Sequence, residues 1–213
     1  MLMFLVRHAQ STWNTSKKIQ GQRDPQLSAY GKKEAALLAR RFKGLAFDAV
    51  YSSPLKRAYQ TAEIVAGRKA TIVREEGLKE ICLGEWEGKT LRSIRKEYGE
   101  MFDRWVVRPT RIRVPGGEEF RGFVRRVKKT IRAIEATPEA SNVLVVCHGG
   151  VISTYATVVL NLPPDDVWCL TVRNASLTIV EVGIELHKLI TFNDISHLMS
   201  MKGLQTAEVT HVD

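Results

Sequence analysis

The sequence predicts an α/β protein: a three-layer α/β/α architecture with a mostly parallel central sheet, an antiparallel edge and a small cap segment. Three observations carry that expectation. Short apolar runs alternate with stretches of helical periodicity along most of the chain. The runs Leu2–Val6 and "NVLVVC" are apolar throughout, as strands buried on both faces are. The last two runs, "ASLTIVEV" and "LHKLITF", meet near Gly183 and read as an edge hairpin.

Each element has a local reason. Leu2–Val6 is the first strand. Ser28 is placed to cap a helix in which Ala35, Leu38, Ala39 and Phe42 share one face. "FDAVYSS" is the second strand, and Ser53-Pro54 predicts a helix start with proline at the first helical position. Ala58, Thr61, Ala62 and Val65 of that helix face inward, and "ATIV" is the third strand. After the "PGG" turn, Phe120, Phe123, Val124, Val127, Ile131 and Ile134 define a long amphipathic helix. "NVLVVC" is a central strand, and "GGVISTYATVVL" is a glycine turn entering another helix. No internal repeat and no low-complexity linker interrupts this order, so 1–213 is expected to be one domain. Its mixed, polar segment 84–117 reads as a cap or loop insertion, with "RPTRIRVPGG" as loop.

Composition narrows the function classes. A chain of 213 residues that is 44% hydrophobic builds a core of ordinary size without a disulfide or metal staple. Cys82, Cys147 and Cys169 lie far apart with no Cys-x-x-Cys pair, which suits a reducing cytoplasm and argues against a cysteine-built zinc site. The start "MLMFLV" is too short for a signal peptide and lacks a basic n-region, and no apolar stretch is long enough to span a bilayer. The expected location is therefore cytoplasmic, with no membrane partner. With 32 Lys+Arg against 23 Asp+Glu the chain is basic, which suits anionic partners. Much of that charge lies on helix faces such as "GKKEAALLARR" and "RRVKKTIR", and no basic run is interleaved with aromatics as in single-strand binders. The expected partner is a small phosphorylated substrate, not nucleic acid, and the expected assembly is a monomer or homodimer.

Ligands of open α/β sheets bind at the carboxyl ends of the strands. The first strand here ends in Arg7-His8, and the second leads into a helix whose first turn carries Arg57. The third leads to Leu78-Lys79-Glu80, and "NVLVVC" leads to His148 with Gly149-Gly150. Each has an ordinary structural reading. Arg7 would cap a sheet edge, and His8 would be a satisfied surface histidine. Arg57 would pair with Glu63 or Glu34 on a helix surface. Glu80 competes with Glu75, Glu76, Glu85 and Glu87, most of which read as solvated. His148-Gly149-Gly150 would be a tight turn. Together these readings require five accidents at equivalent strand ends. Phosphoryl transfer needs the whole set: two guanidiniums to offset a phosphate dianion, an imidazole nucleophile, a second imidazole and backbone donors for the equatorial oxygens, and a carboxylic acid for the leaving group.

The motifs "FLVRHAQSTWN", "YSSPLKRAYQTAEI", "LKEICLGEWEG", "PGGEEF" and "VLVVCHGGVI" stand in the order found in the histidine phosphatase superfamily, in the branch that includes cofactor-dependent phosphoglycerate mutase. The resemblance runs from Leu2 to about Leu198. It implies that His8 is the phosphorylated nucleophile, that Arg7, Arg57 and His148 complete the phosphate pocket, and that Glu80 is the proton donor. It also implies that Asn14 and Gln20-Gly21 line the pocket and that neither metal nor cofactor is needed. Ala9 departs from the family's commonest glycine. The compact stretch "ICLGEWEGKTLRSI" after Glu80 resembles the broad-specificity, phosphoserine and α-ribazole phosphatases more than the mutases, whose chains carry an insertion there. Phosphomonoester hydrolysis is thus expected, with mutase-type transfer and non-catalytic binding of a phospho-ligand as alternatives. A zinc site built from His8, His148 and His197 is a further alternative, but it would not require two arginines beside it. The tail "LITFNDISHLMS" places Asn193 and His197 after the last strand, where His197 is a candidate to contact substrate. Arg108, Arg111 and Arg113 of the cap loop are candidates for a second anionic group.

Overall fold

A computed structural model describes residues 1–67, 69–137, 139–199 and 201. In chain order the elements are β1 (Leu2–Arg7), α1 (Thr12–Thr15), α2 (Ala29–Arg41), β2 (Ala49–Ser52), α3 (Lys56–Ala66), β3 (Ile72–Arg74), α4 (Leu91–Val107), α5 (Phe120–Glu135), β4 (Asn142–Cys147), α6 (Gly149–Val159), β5 (Leu177–Glu181) and β6 (Lys188–Asp194). Among the described residues the strands form one sheet in the order β3-β2-β4-β1-β5-β6. β1, β2, β3 and β4 run parallel, β5 runs against β1, and β6 turns back against β5. The expected α/β/α architecture with a mostly parallel sheet and an antiparallel edge is what is found.

The period of two along the strands separates the layers. Phe4 and Val6 of β1 and Leu144 and Val146 of β4 face α2 and α3, where Leu38, Phe42, Ala58, Ala62 and Val65 meet them. Met3 and Leu5, with Val143, Val145 and Cys147, face the other way onto α5 and α6, against Phe123, Val127, Ile131, Val151 and Ile152. Because β1 and β4 bury both faces, their runs are apolar without alternation. Each fully buried side chain of this size contributes about 1.5–3 kcal/mol, so the sheet's centre carries much of the stability.

Register then brings the strand ends together. Arg7 pairs with Cys147, so His8 and His148, one residue further on each strand, lie side by side. Ser52 pairs with Val146, and Ser53 N continues the ladder to Val146 O at 2.9 Å.

Several expectations are corrected. Pro54 is not the first helical position: α3 begins at Lys56, with Leu55 at the N-cap. Ser53 still belongs to the strand ladder, so the chain turns into the helix only beyond the proline. Ser28 does cap α2, accepting from Gly31 N. The third strand is displaced to Ile72–Arg74, and Asn193 lies inside β6, not beyond it. Segment 84–117 holds α4, a helix interrupted at Gly99, whose φ of 37° breaks the helical repeat. Ile94, Phe102 and Trp105 are its buried side chains. Trp105 packs on Trp86 and Trp168, with ring centroids 5.3 and 5.0 Å away. Thr110 adds two hydrogen bonds of 3.0 Å to the Asp165 carboxylate. Residues 84–117 are thereby joined to the 3-10 turn Pro164–Cys169. Among the described residues no helix is long and apolar enough to cross a membrane.

Candidate active site

His8 follows β1 directly and is buried. Its Nδ1 lies 2.8 Å from the Ala9 carbonyl oxygen. A carbonyl only accepts, so Nδ1 carries the proton and Nε2 carries the lone pair. The Arg57 Nε–H, 3.2 Å from His8 Nε2, points at that lone pair and demands the same tautomer. From behind, the His8 carbonyl accepts from Asn174 Nδ2 at 2.9 Å and Ala175 N at 3.2 Å. Ala9 is wholly buried and donates its N–H to Thr61 Oγ1 at 3.1 Å. It does not adopt a positive φ, so alanine stands there without strain.

Arg57 is 1% exposed, which rules out its surface-pair reading. Besides His8, its guanidinium donates to the carbonyls of Arg23 and Gly21, each at 2.7 Å. Burial pulls its pKa down to about 10, with Glu80 and Asp24 pulling the other way, so it remains a cation at neutral pH. Arg7 donates to the Val172 carbonyl and lies beside Gly149.

His148 ends β4 and sits 5.2 Å, centroid to centroid, from His8. Its Nε2 is 2.8 Å from Ser53 Oγ. Its buried Nδ1 makes no hydrogen bond among the described residues, leaving a polar edge for a ligand oxygen. Burial first, then Arg57, then Arg7 for His8 and His8 itself for His148, hold both imidazoles well below the ordinary histidine value.

Glu80 accepts from Ile81 N at 3.0 Å and from Gly150 N, in the first turn of α6, at 3.1 Å. A Cβ on Gly150 would stand 2.4 Å from Glu80 Oε1, so glycine is required for this approach. At Gly149 the nearest neighbour of such a Cβ would be Arg7 at 3.6 Å, ordinary contact, so that glycine is not sterically required. Asn14 closes a capping box with Ser11, and its Oδ1 lies 3.5 Å from the Asn174 amide that holds His8. Gln20 Oε1 accepts from Ser11 Oγ at 2.7 Å.

The structure thus gathers Arg7, His8, Arg57, Glu80, His148, Gly21 and Gly149, with Asn14 in the adjoining α1 and Gln20 in the loop after it. His197 is not gathered. It lies 3.5 Å from an Arg41 nitrogen at the end of α2, and Arg41 pairs with Asp194. Burial, then Arg41, lowers its pKa to about 4. Leu198 beside it packs against Ala9, Leu27, Ala35 and Ala175. Among the described residues no three His, Cys, Asp or Glu side chains group as a metal site, so the His8–His148–His197 alternative lacks its geometry. The tail expected to contact substrate extends to Ser200, which, like residues 202–213, lies outside the described residues. Arg108, Arg111 and Arg113 are exposed.

Sequence reasoning passed over Glu87. Its side chain is 6% exposed, not solvated, and one carboxylate oxygen accepts from Gln22 N at 2.9 Å and Leu83 N at 3.0 Å. It ties the loop that holds Arg57 to the loop that carries Glu80. A Cβ on Gly21, at φ +49°, would fall 2.1 Å from the same carboxylate oxygen. The signal was the repeated acid in "LGEWEG", which gave no means of ranking Glu87 against its neighbours.

The depressed histidines make stability pH-dependent. Below about 6.5 the unfolded chain binds protons that native His8, His148 and His197 refuse, so stability falls with pH from there down through their native values. Urea midpoints at pH 7.5 and 5.5 check this: the midpoint drops on acidification, and drops less in a His8→Asn/His148→Gln double variant.

Comparison with known proteins agrees with this arrangement. The model of the histidine phosphatase superfamily (branch 1) matches residues 3–195. Phosphoserine phosphatase 1 of Hydrogenobacter thermophilus is 33% identical over 197 residues, covering 92% of this chain and 93% of that one. A probable phosphoglycerate mutase GpmB of Yersinia enterocolitica is 32% identical, covering 84% of each. The solved structure of Bacillus stearothermophilus YhfR superposes with a TM-score of 0.87 at 33% identity, covering 92% of this chain and 98% of that one.

Proposed function

The chain belongs to the histidine phosphatase superfamily, branch 1, and we propose that within it the protein hydrolyses small phosphomonoesters through a covalent phosphohistidine on His8, with Glu80 as general acid and base. The observation that carries this reading is the doubly fixed tautomer of His8. Ala9 O holds the proton on Nδ1, and the lone pair on Nε2 faces the guanidinium of Arg57. A phosphate entering there takes the Arg57 N–H for its own oxygens and releases the lone pair to attack phosphorus. Depressed basicity keeps that lone pair free well below neutral pH. Arg7 and Arg57 offset the dianion, and His148 Nδ1 serves the equatorial oxygens. As the bond to phosphorus forms, the ester bond breaks and Glu80 protonates the departing alkoxide. Water then attacks the phosphohistidine, Glu80 takes its proton, and phosphate leaves with His8 restored.

Hydrolysis is preferred to transfer because the stretch after Glu80 is compact. Relatives named as a phosphatase and as a probable mutase align over the same 92% of this chain, so the preference rests on that stretch. Small phosphorylated metabolites such as phosphoserine are the substrates of choice, with residues 84–117 as the cap over the site. The test compares catalytic efficiency across a panel of phosphomonoesters, with chelator present, against interconversion of phosphoglycerates. Hydrolysis will dominate; faster phosphoglycerate interconversion would move the protein to the mutases, and binding without turnover would make it a phospho-ligand binder.

One substitution measures the charge clamp. Arg57→Lys keeps a cation but loses the three-way fork to His8, Gly21 and Arg23. Transition-state stabilisation will fall by about 2 kcal/mol or more. Wild-type kcat/KM in this variant would remove Arg57 from the site.

A further inference from the structure

Arg126 lies on α5, not after a strand, yet it is tied to the segment that bears Glu80. Its Nη1 donates to Gly77 O and Lys79 O, each at 2.8 Å. Its Nη2 donates to Glu80 O at 3.4 Å and to Glu118 Oε2 at 2.7 Å. Its Nε donates to Glu118 Oε1 at 3.0 Å. A guanidinium has five N–H donors in one plane, and these contacts use every one. Glu118 reaches the far side of the same segment, accepting from Cys82 N at 3.3 Å and donating its own N–H to Cys82 O at 2.9 Å. Gln22 Nε2 adds a hydrogen bond of 3.0 Å to Glu80 O. The backbone is therefore held before, at and after Glu80, while its carboxylate rests on Ile81 N and Gly150 N.

We propose that Arg126, with Glu118, is the positioning pair of the proton donor: it sets the depth at which the Glu80 carboxylate meets the leaving-group oxygen. This rests on the reading of Glu80 as general acid. The physical need is plain. Glu80 sits on a short irregular segment just after the 3-10 turn Glu76–Leu78, with no helix or strand to fix its backbone. Proton transfer requires hydrogen-bond distance to the departing oxygen, and a misplacement of about 1 Å can cost a hundredfold. A planar fork that binds successive carbonyls fixes a peptide's orientation as a point charge does not. Arg126 hydrogen-bonds to backbone and to Glu118, not to a reacting atom; its charge also acts on His148, but lysine keeps that charge, so the effect of Arg126→Lys passes through Glu80.

That route gives a signature that loss of packing lacks. Single-turnover phosphoryl transfer is measured for Arg126→Lys, Glu80→Gln and the double variant, on O-phosphoserine and on p-nitrophenyl phosphate. The serine alkoxide needs its proton, whereas nitrophenolate leaves without one. Arg126→Lys will slow phosphoserine about tenfold or more and the aryl ester less than about threefold. In the Glu80→Gln background the same change will add less than about twofold on phosphoserine, because the group being positioned is gone. Vanadate inhibition will be unchanged, since the phosphate pocket is intact. If Arg126→Lys does not fold, Glu118→Gln, which keeps an acceptor for Cys82 N, must show the same split in smaller measure. Equal losses on both esters, or the full loss repeated in the Glu80→Gln background, overturns the proposal. A leaving-group split in Glu80→Gln without one in Arg126→Lys rejects the positioning role alone. Equal losses in Glu80→Gln itself reject the general-acid assignment and this inference with it.

Discussion

His8→Ala will lose phosphomonoester turnover by on the order of a thousandfold or more, the scale seen when a covalent nucleophile is removed from a site whose binding groups remain. Those binding groups do remain: Arg57 is still held by Gly21 O and Arg23 O, and His148 by Ser53. The variant should therefore bind phosphoserine with affinity near that of the wild type. It should also lose less stability than the wild type on acidification below about pH 6.5, because a buried imidazole that resists protonation has been deleted. Calorimetric titration with phosphoserine and a comparison of urea midpoints separate this outcome from simple misfolding. Turnover within about tenfold of wild type would deny His8 the role of nucleophile.

Glu80→Gln will show the second large effect, and it will depend on the ester. A serine or sugar alkoxide is a poor leaving group, so its transfer step will slow by about a hundredfold or more, the range of general acid catalysis. Nitrophenolate needs no proton, and its transfer step will change far less. Glutamine keeps one of the two contacts, from Ile81 N or Gly150 N, through its single amide oxygen and loses the other, because its NH2 group cannot accept. Dephosphorylation is followed separately, because the proposed mechanism also uses Glu80 there as base. The informative control is Glu85→Gln: Glu85 accepts from Tyr98 Oη at 2.7 Å, on the α4 side of the segment. A leaving-group-dependent loss in Glu85→Gln, instead of Glu80→Gln, would reassign the acid.

The range of the forces involved decides which features were legible in the sequence and which were hidden. β1 and β4 were readable because burial on both faces leaves an apolar run, and their register then put His8 beside His148 without further information. Ser28 was readable because capping is local. The helix α4 was not, because Gly99 interrupts its period, and its Phe102 packs on Trp86 and its Trp105 on Trp86 and Trp168, the latter far along the chain. Pro54 misled because the favourable dipeptide stood just before the helix that it introduces, not within it. In the site, the groups expected to touch phosphate were found by their place after strands. The groups that hold them were not. Glu87, Arg126, Glu118 and Asn174 act on backbone carbonyls and amides of distant loops, and a contact of that kind leaves no periodicity and no spacing in the chain. His197 shows the converse: a histidine in a suggestive position whose neighbours, Arg41 and Asp194, seat it on α2.

The most direct measurement is rapid-quench trapping of the enzyme during turnover of a radiolabelled phosphomonoester. Quenched into alkali, the wild-type protein will retain label on the peptide that contains His8, and the label will be lost on mild acid treatment, as a phosphoramidate bond requires. It will be absent from His8→Ala. An adduct stable to acid and labile to base, or label carried on a peptide without His8, would contradict a phosphohistidine on His8.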